Sequence, residues 1–516
     1  MIVMWTICAL IVPWAAGTAL VLLVRESLLA PTAARIPSRT ADSFFLVIGA
    51  GWLAGQAMMM ASLYISLIAF GAGHAHGILG VLALVALALI CAIARRGWSA
   101  PSEDRSRPPD PIPVSTPTPL SAPERKSDPG EPTDAATDAT AQPSRRWPAV
   151  VRRIILAIIA ASLLAKLYLL ICSHAFLPIR NDDAISIWLF KAKVIASLDR
   201  LPLSPEGDYY QAGSNPHYSI FVPLAAAWIP MVTGQWHEQL ATLPWLFYYI
   251  NLVLLIAGGL RRWLTAAQSW LAAYVVASLP LVVVHAYRPG YADMILAAFL
   301  AAAVMYLLIW RETNLVRHLG LATLFALVAA CLKRESSALA AIAVATVLLS
   351  SRRNLQAWSA RTWKGAVVAA GGAVLIVASL VDFSEQTGAA SAFGYHPGVW
   401  AKLWQHLFEW SSFHFLFWGL AAAAILLSCI RHSPNRSPAI LLTLGLCGFH
   451  VAVFLLTPQA RFALNDQTPS RLFLQIVPSL VLAWAIPLSY ALNVSAGVTS
   501  SAAAADEHKE VPHGQI

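Results

Sequence analysis

Charged side chains are scarce in this sequence. Asp, Glu, Lys and Arg make up 12% of its 516 residues, whereas hydrophobic residues make up 58%, and the mean hydropathy is +0.64. Soluble globular domains average about 25% charged residues, so the composition excludes that class. Apolar runs of about 20 residues recur instead, the length that crosses the hydrocarbon core of a bilayer. The sequence therefore predicts an all-α polytopic membrane protein in a lipid bilayer.

Cysteine motifs and nucleotide-binding loops are absent as well. The six cysteines form no CxxC pair and fall in or at the ends of apolar segments, so we expect small buried side chains rather than disulfides or a zinc site. The sequence has no glycine-rich phosphate loop, and we expect no nucleotide cofactor. The run 2–24 follows no basic stretch and exceeds the apolar core of a signal peptide, so we expect a retained helix.

Basic residues lie in short loops between the apolar segments. We therefore interpret the net charge of +9 as a signal for helix orientation, with no nucleic-acid partner expected. Arginines follow the first and third apolar segments, whereas the loop GAGHAHG between the second and third has neither Lys nor Arg. The positive-inside rule then places the N-terminus outside and returns the chain to the cytoplasm near residue 95.

Residues 97–149 differ in composition from the segments on either side. Pro, Ser, Thr, Ala and mixed charges dominate there. Such a segment buries too little apolar surface to offset the entropy of ordering it, so we expect a disordered cytoplasmic linker. The linker divides an N-terminal three-helix membrane unit (1–96) from a membrane domain (150–490), which a cytoplasmic tail (491–516) follows.

About 13 membrane spans account for the basic clusters and predict a cytoplasmic C-terminus at the inner (plasma) membrane. The segment 217–234 must then not cross, and its short length and two prolines, Pro223 and Pro230, favour an interfacial or re-entrant segment. The predicted spans are 2–24, 44–70, 76–94, 154–174, 243–260, 264–284, 292–310, 316–332, 336–350, 365–382, 414–430, 438–457 and 472–490.

An acidic pair, Asp182 and Asp183, follows the span 154–174 on the predicted outer face. Charge at membrane depth is costly and marks functional candidates. An amphipathic surface helix comes next, with the apolar positions Ile185, Trp188, Leu189, Ala192 and Ile195. The structural alternative is that Asn181 or Asp182 caps this helix. One cap explains one residue rather than an adjacent pair, so we interpret the pair as catalytic carboxylates and prefer Asp182.

Two further turns carry ionisable residues on the same face. Asp293 opens a helix shortly after Arg288, so a helix cap or a salt bridge is the alternative to a functional role. Lys333, Arg334 and Glu335 fill a tight turn between two apolar segments. Snorkelling explains one basic residue there, and three consecutive ionisable groups favour an anionic ligand.

Arginines around the last outer loop depart from the positive-inside rule. Arg461 and Arg471 flank a polar loop that contains Asp466, and the departure favours a functional role. His217 follows an Asn-Pro pair and is a candidate metal or phosphate ligand, with an ordinary surface histidine as the alternative. The candidate ligands of an anionic group are Lys333, Arg334, Arg471 and Arg288, and the candidate metal ligands are Asp182, Asp293 and His217.

Carboxylates and cations together at an outer membrane surface suit few reactions. ATP and nucleotide sugars are not generally available on that face, so we expect a substrate carried in the membrane, and a sugar linked to a lipid phosphate fits. A carboxylate would take the proton of an acceptor hydroxyl, while Lys, Arg or a divalent cation (Mg²⁺ or Mn²⁺) stabilises the departing phosphate.

The order of these features resembles the GT-C superfamily of polytopic glycosyltransferases, and more closely its branch of protein O-mannosyltransferases and lipid A aminoarabinose transferases. The resemblance covers roughly residues 150–490. Its features are a helix, the acidic pair with its amphipathic helix, an Asn-Pro-His-Tyr stretch, Tyr-Ala-Asp, Lys-Arg-Glu, and Pro-Ser-Arg before the last span. This chain departs from the family where it has Asp-Asp for the usual Asp-Glu and Asn-Pro for the usual Pro-Pro.

The resemblance implies a GT-C-like core and an inverting transfer from a polyprenyl-phosphate sugar to an acceptor glycan, lipid or protein. Asp182 or Asp183 would be the general base, and Asp293 would assist it or bind a metal. Lys333 would lie near the lipid phosphate, with Arg471 facing the same site.

Two other classes of protein compete with this interpretation. A transporter or flippase for lipid-linked solutes would place ionisable groups near the bilayer midplane, often within internal repeats, and no inverted repeat is evident. A polymerase or ligase that uses lipid-pyrophosphate donors would also need outer-face cations, but would depend less on a carboxylate base.

Overall fold

The computed structural model describes residues 1–26, 44–98, 149–201, 218–350, 394–410, 415–430, 436–466 and 469–507. Within these ranges every regular element is helical and no strand occurs, which confirms the all-α prediction. Nearly all of the predicted linker, the predicted span 365–382 and the end of the predicted tail lie outside the described residues.

The helices are numbered here in chain order. They are α1 (Ile2–Glu26), α2 (Phe44–Ala69), α3 (Ala75–Trp98), α4 (Ala149–Phe176), α5 (Leu189–Leu198), α6 (Phe221–Thr233), α7 (Glu238–Leu260), α8 (Ala266–Ser278), α9 (Pro280–Tyr287), α10 (Ala292–Thr313), α11 (Val316–Leu332), α12 (Arg334–Ser350), α13 (Val399–Trp404), α14 (Phe415–Ile430), α15 (Arg436–Leu456), α16 (Ala460–Leu464) and α17 (Pro469–Glu507). Short π-helical turns precede α5 (Ala184–Trp188) and follow α13 (Gln405–Glu409).

Eight of the described helices are long and apolar enough to cross a membrane, which supports the prediction of a multi-pass protein. They are α1, α2, α3, α4, α7, α10, α15 and α17. Helices α8 and α9 form a ninth candidate that bends by 65° between them. The bend follows from Pro280, because the residue before a proline avoids helical angles, and Leu279 is extended (φ −61°, ψ 126°).

Three other predicted spans correspond to shorter apolar helices, α11, α12 and α14. Helix α11 has 17 residues and is therefore about 25 Å long. The segment predicted not to cross is helix α6, with 13 residues. Helix α17 continues past the predicted end of its span to Glu507. The total of thirteen spans stays a prediction.

Helix α10 forms the centre of the described helices. Every residue from Ala292 to Trp310 is buried, and alanines make up much of its sequence, so neighbouring helices can approach it from all sides. Helix α4 is the opposite case, because large apolar side chains such as Leu164, Tyr168 and Leu169 are exposed along it. In a bilayer this surface of α4 contacts lipid.

The N-terminal three helices pack directly on the following membrane domain. A Cβ atom on Gly49 of α2 would lie 2.7 Å from the carbonyl oxygen of Asn251, and one on Gly258 of α7 would lie 2.1 Å from the backbone nitrogen of Leu46. Backbones this close tolerate only glycine. Trp228 of α6 also donates to the carbonyl of Ala9 at 2.8 Å.

Charged residues mark both ends of α10. Asp293 stands at its first turn and Glu312 at its last, about 28 Å apart along the helix axis. Glu312 accepts a hydrogen bond from Arg262 at the end of α7. The basic clusters around Arg262 and Arg311 therefore lie at the same level, opposite Asp293, as the charge pattern predicts.

Candidate functional site

A buried carboxylate, Asp293, lies at the centre of a polar cluster inside the helix bundle. Its Oδ1 atom accepts hydrogen bonds from Lys333 Nζ at 2.8 Å and from Gln475 Nε2 at 2.7 Å. Its Oδ2 atom accepts from Arg471, through Nε at 3.3 Å and Nη2 at 3.2 Å. A charge buried this deeply is tolerated only when it is paired and hydrogen-bonded, and both oxygens of Asp293 meet that condition.

Three helix ends bring these groups together. Asp293 stands in the first turn of α10, and Lys333 is an extended residue (φ −148°, ψ 161°) between α11 and α12. Arg471 and Gln475 are four residues apart in the first turns of α17, so they lie on one face of that helix. The sequence grouped Asp293, Lys333 and Arg471 on one side of the membrane, and the structure places them in contact.

Lys333 joins a second carboxylate to the cluster. Its Nζ lies 3.1 Å from Glu335 Oε1, and Gln475 Nε2 lies 3.4 Å from the same oxygen. Burial by itself would lower the pKa of Lys333, but the adjacent Asp293 and Glu335 carboxylates outweigh it and raise the pKa above its ordinary value. Lys333 is therefore a permanent cation in this arrangement.

Arg471 links the buried cluster to the acidic pair. Its Nη1 donates to Asp183 Oδ2 at 2.6 Å, and the guanidinium carbon lies 4.2 Å from the centre of the Tyr291 ring. Trp245 holds Tyr291 by donating to its carbonyl at 2.8 Å. The guanidinium thus has carboxylates and an aromatic face around it, a set of contacts that fixes its orientation.

Asp182 differs from Asp183 in its surroundings. Its side chain is exposed and has no hydrogen bond or ion pair with any residue that the structure describes. The alternative that Asn181 or Asp182 caps the helix finds no support, because Asp182 makes no side-chain hydrogen bond with the described residues and Asp183, at the boundary of the π-helical turn, makes no side-chain cap. Asn181 instead points to the turn before α10 and donates to the carbonyls of Arg288 at 3.1 Å and Pro289 at 3.4 Å.

The turn 288–291 packs closely on the segment that carries the acidic pair. Gly290 has φ +107°, and a Cβ atom there would lie 2.3 Å from the Cβ of Ala184. Only glycine permits both this backbone angle and this approach. The contact, together with that of Asn181, sets the position of Asp182 and Asp183 relative to α10.

The amphipathic helix after the acidic pair is present, with one difference from the prediction. Trp188, Ala192 and Ile195 are buried as expected, and Trp188 stacks on Tyr218 with ring centres 5.2 Å apart. Ile185 is 53% exposed instead of buried. The residue lies in the π-helical turn, whose wider period rotates it away from the face that an α-helical period assigns to it.

The described cluster contains more acidic than basic groups. Its carboxylates are Asp183, Asp293 and Glu335, and its cations are Lys333 and Arg471. Two of the four cations predicted to hold a phosphate, Lys333 and Arg471, are therefore already paired with carboxylates in this arrangement.

The remaining predicted residues lie elsewhere or outside the description. Arg288 is exposed and lines a separate cavity together with Asn181. Arg334 is the first residue of α12. His217 lies outside the described residues. Asp466 pairs with Lys402 at 2.8 Å.

Polar residues that the sequence reasoning missed complete the site. Gln475 contacts both Asp293 and Glu335, and its position in an apolar span four residues after Arg471 was a usable signal. The Nε2 atom of His285 lies 3.8 Å from Asp293 Oδ2. His450 is fully buried near Phe473, and neither ring nitrogen has a hydrogen-bond partner among the described residues. A lone histidine in an apolar helix, such as His285, gives no sequence signal that it lies near a buried carboxylate.

The donor set around Asp293 does not suit a divalent cation. Lys333, Arg471 and Gln475 already donate to its two oxygens, so a metal ion would have to displace an ammonium or a guanidinium. In the described parts of the chain, no three His, Cys, Asp or Glu residues are grouped closely enough to hold a metal. The sequence-based assignment of Asp293 as a metal ligand finds no support in these contacts.

A second polar group holds the π-helical turn after α13 to the start of α17. His406 Nδ1 lies 2.9 Å from Ser470 Oγ, and its Nε2 lies 3.5 Å from Asp466 Oδ1. Burial lowers the pKa of His406, and Asp466 opposes that shift only in part. Because Ser470 precedes Arg471, this contact fixes the helix end from which Arg471 reaches the cluster.

Comparisons of the chain with protein-family models, with curated proteins and with solved structures found no match. The resemblance to GT-C enzymes therefore rests on the residues and their order. The fold and the site define an all-helical, multi-pass protein with a buried ion-pair cluster at one end of its central helix.

Proposed function

We propose that the protein is a membrane glycosyltransferase that moves a sugar from a polyprenyl-phosphate donor to an acceptor hydroxyl at the extracytoplasmic face. The observation that supports this most is the contrast within the acidic pair. Asp183 is anchored by Arg471 at 2.6 Å, whereas Asp182 is exposed beside it without a described partner. One carboxylate positions the segment, and the other is available to a substrate.

Asp182 is the general base of the proposed reaction. The acceptor oxygen attacks the anomeric carbon of the sugar, and its proton moves to the Asp182 carboxylate. The bond between the anomeric carbon and the phosphate oxygen breaks, and its electron pair leaves with the polyprenyl phosphate. A positioned base contributes roughly 10²–10⁴-fold to such a step. Inversion at the anomeric carbon is what the GT-C resemblance implies.

The buried cluster positions the base. Asp293 and Tyr291 hold Arg471, and Arg471 holds Asp183 next to the base. Electrostatic catalysis requires groups that need not reorganise during the reaction, and a cluster whose members are all paired meets this requirement. Asp293 acts in this proposal without a metal ion, because Lys333 and Arg471 donate to its two oxygens.

The level of the cluster favours an enzyme over the rival transporter. Asp293, Lys333 and Arg471 belong to helix ends, and Arg262 with Glu312 marks the opposite end of α10. Transporters usually bind their substrates on broken helices near the midplane. Groups at helix ends are within reach of both a lipid headgroup and a water-soluble acceptor.

Mass spectrometry of envelope glycans, lipids and glycoproteins from cells with and without the protein tests the proposal. We expect one sugar to be missing without it, and to be restored by the wild-type protein but not by Asp182→Asn. Unchanged glycans would contradict the proposal, and a lipid-linked glycan that accumulates on the cytoplasmic side would favour the flippase interpretation instead.

A further inference from the structure

A small cavity is lined by Asn181, the residue before the acidic pair, and by no residue of the buried cluster. It has a volume of about 180 Å³ and is bounded by the end of α4, the segment 177–181, the start of α7 and the turn after α9. Ligand sites for drug-sized molecules span about 300–1,000 Å³. This cavity therefore fits a group the size of a phosphate with its first attached atoms, and it is too small for a glycan.

Two arginines, Arg180 and Arg288, line this cavity. Both are exposed, and neither side chain has a hydrogen bond or ion pair within the part of the chain that the structure describes. Glu238 is the carboxylate among the lining residues, so the lining has a net positive charge. Lys333 and Arg471 in the neighbouring cluster are in contrast fully paired.

The position of the cavity makes these arginines unusual. Both belong to segments predicted to face outside, where the positive-inside rule disfavours arginine. The cavity also adjoins the outer end of α4, whose large side chains Leu169 and Phe176 are exposed toward the lipid. Two cations at the headgroup level of a lipid-facing helix are placed to bind the anionic headgroup of a membrane lipid.

We propose that Arg180 and Arg288 bind the phosphate of a membrane lipid, and that in the proposed reaction this lipid is the polyprenyl-phosphate donor. Guanidinium groups match phosphate oxygens with two parallel hydrogen bonds, as a lysine cannot. Asn181 holds the Arg288 backbone at 3.1 Å and lies next to Asp182 in sequence. A sugar on the bound phosphate would thus lie at the acidic pair. This inference rests on the proposed function and moves the donor phosphate away from Lys333 and Arg471.

Binding measurements on the full-length protein in nanodiscs test this site without requiring turnover. The probes are undecaprenyl phosphate, the uncharged undecaprenol, and the phospholipid phosphatidylglycerol. Wild-type protein should bind undecaprenyl phosphate at least tenfold more tightly than it binds undecaprenol. Each of Arg180→Ala and Arg288→Ala should weaken binding by about tenfold or more, the usual effect of losing a charge-assisted hydrogen bond.

Arg200→Ala is the matched control, because Arg200 is exposed on the same predicted face and does not line the cavity. It should bind undecaprenyl phosphate like the wild type. Arg180→Lys and Arg288→Lys keep the charge and guard against misfolding, and they should lose less affinity than the alanine variants.

The outcomes separate this site from the proposed function. Normal undecaprenyl phosphate binding by both alanine variants would overturn the inference and leave the glycosyltransferase proposal in place. Equal, arginine-dependent binding of phosphatidylglycerol would overturn the assignment to the donor and make this a general phospholipid site. If wild-type protein binds no undecaprenyl phosphate, both the inference and the proposed function are wrong.

Discussion

Arg471 donates to Asp183 at 2.6 Å, although 288 positions of sequence separate the two residues. The same guanidinium also contacts Asp293, 178 positions away. One side chain of the last span thus connects the loop after α4 to the central helix α10. Asp183 is therefore held by the last span, and the last span is held in turn by α10.

The two carboxylates of the pair should respond differently to substitution. Asp182→Asn removes the proposed base and no described contact, so we expect transfer to fall by roughly 10²-fold or more with unchanged thermal stability. Asp183→Asn weakens a pair whose side chains are 37% and 24% exposed, so we expect milder loss of transfer and a stability change of about 1 kcal/mol or less. Transfer rates and melting temperatures of the purified variants provide the measurement. Near-normal transfer by both variants would remove the case for a carboxylate base.

Asp293→Asn should be strongly destabilising. It leaves the buried Lys333 and the partly buried Arg471 with one counter-charge fewer, and breaking a buried pair such as Asp293 with Lys333 costs about 3–5 kcal/mol. Adding Lys333→Met should recover part of this loss, because the unpaired ammonium is then absent. Unfolding of the reconstituted protein in denaturant measures both effects. Arg262→Met is the control. Its pair with Glu312 is partly exposed, so this change should lower the free energy of unfolding by less than about 1 kcal/mol. Similar losses for Asp293→Asn and Arg262→Met would contradict the role of the cluster.

Gly258→Ala should loosen the contact between the N-terminal unit and the membrane domain. The added Cβ would lie 2.1 Å from the Leu46 backbone nitrogen, so α2 must shift, at a cost of about 1–3 kcal/mol. Gly320→Ala in α11 is the matched control, because no atom lies within 4 Å of its Cβ position. Alanine should be neutral there or stabilise α11 by up to about 1 kcal/mol. Equal melting temperatures for the two variants would mean that the α2–α7 contact contributes little.

Labelling of single cysteines tests which face holds the site. In a background without the six native cysteines, Gln459→Cys should react with a membrane-impermeant thiol reagent in intact cells, because Gln459 is exposed in the predicted outer loop between α15 and α16. Glu312→Cys, at the opposite end of α10, should react only after the membrane is permeabilised. The reverse pattern would invert the sidedness derived from the arginines, and with it the choice of a lipid-linked donor.

Lys191 should make stability depend on pH in the alkaline range. Its side chain is fully buried in the surface helix α5 and donates to the Tyr218 carbonyl at 3.4 Å. Burial lowers the pKa of Lys191 to about 8, from 10.5. Between these values the unfolded chain binds more protons than the folded one, so the free energy of unfolding should rise with pH and level off above 10.5. Denaturant unfolding at several pH values should show this rise in the wild type and a smaller one in Lys191→Met. If the free energy of unfolding rises equally with pH in Lys191→Met, other groups cause the rise.

Much of the architecture follows from hydropathy and charge alone. The apolar runs predict the long helices α1 to α4, α7, α10, α15 and α17. The short length and two prolines of 217–234 predict a segment that does not cross the membrane, and this segment forms the 13-residue helix α6. Placement of Asp183, Asp293, Lys333 and Arg471 at one level also follows, because ionisable groups are excluded from the apolar interior and so collect at helix ends. The exposed position of Ile185 was not predictable, since a π-helical turn leaves no mark in the hydrophobic period.

The partners of these groups depended on the tertiary structure. Hydropathy fixes the depth of a residue in the membrane, which is one coordinate, whereas its neighbours depend on how helices rotate and pack in the other two. The sequence therefore placed Arg288 with Lys333 and Arg471 as ligands of one anion. Packing of the turn 288–291 on Ala184 directs Arg288 into a different cavity, and packing of α17 on α10 pairs Arg471 with two carboxylates. The sequence by itself determined the class of protein and the level of its site, and helix packing decided which charges meet.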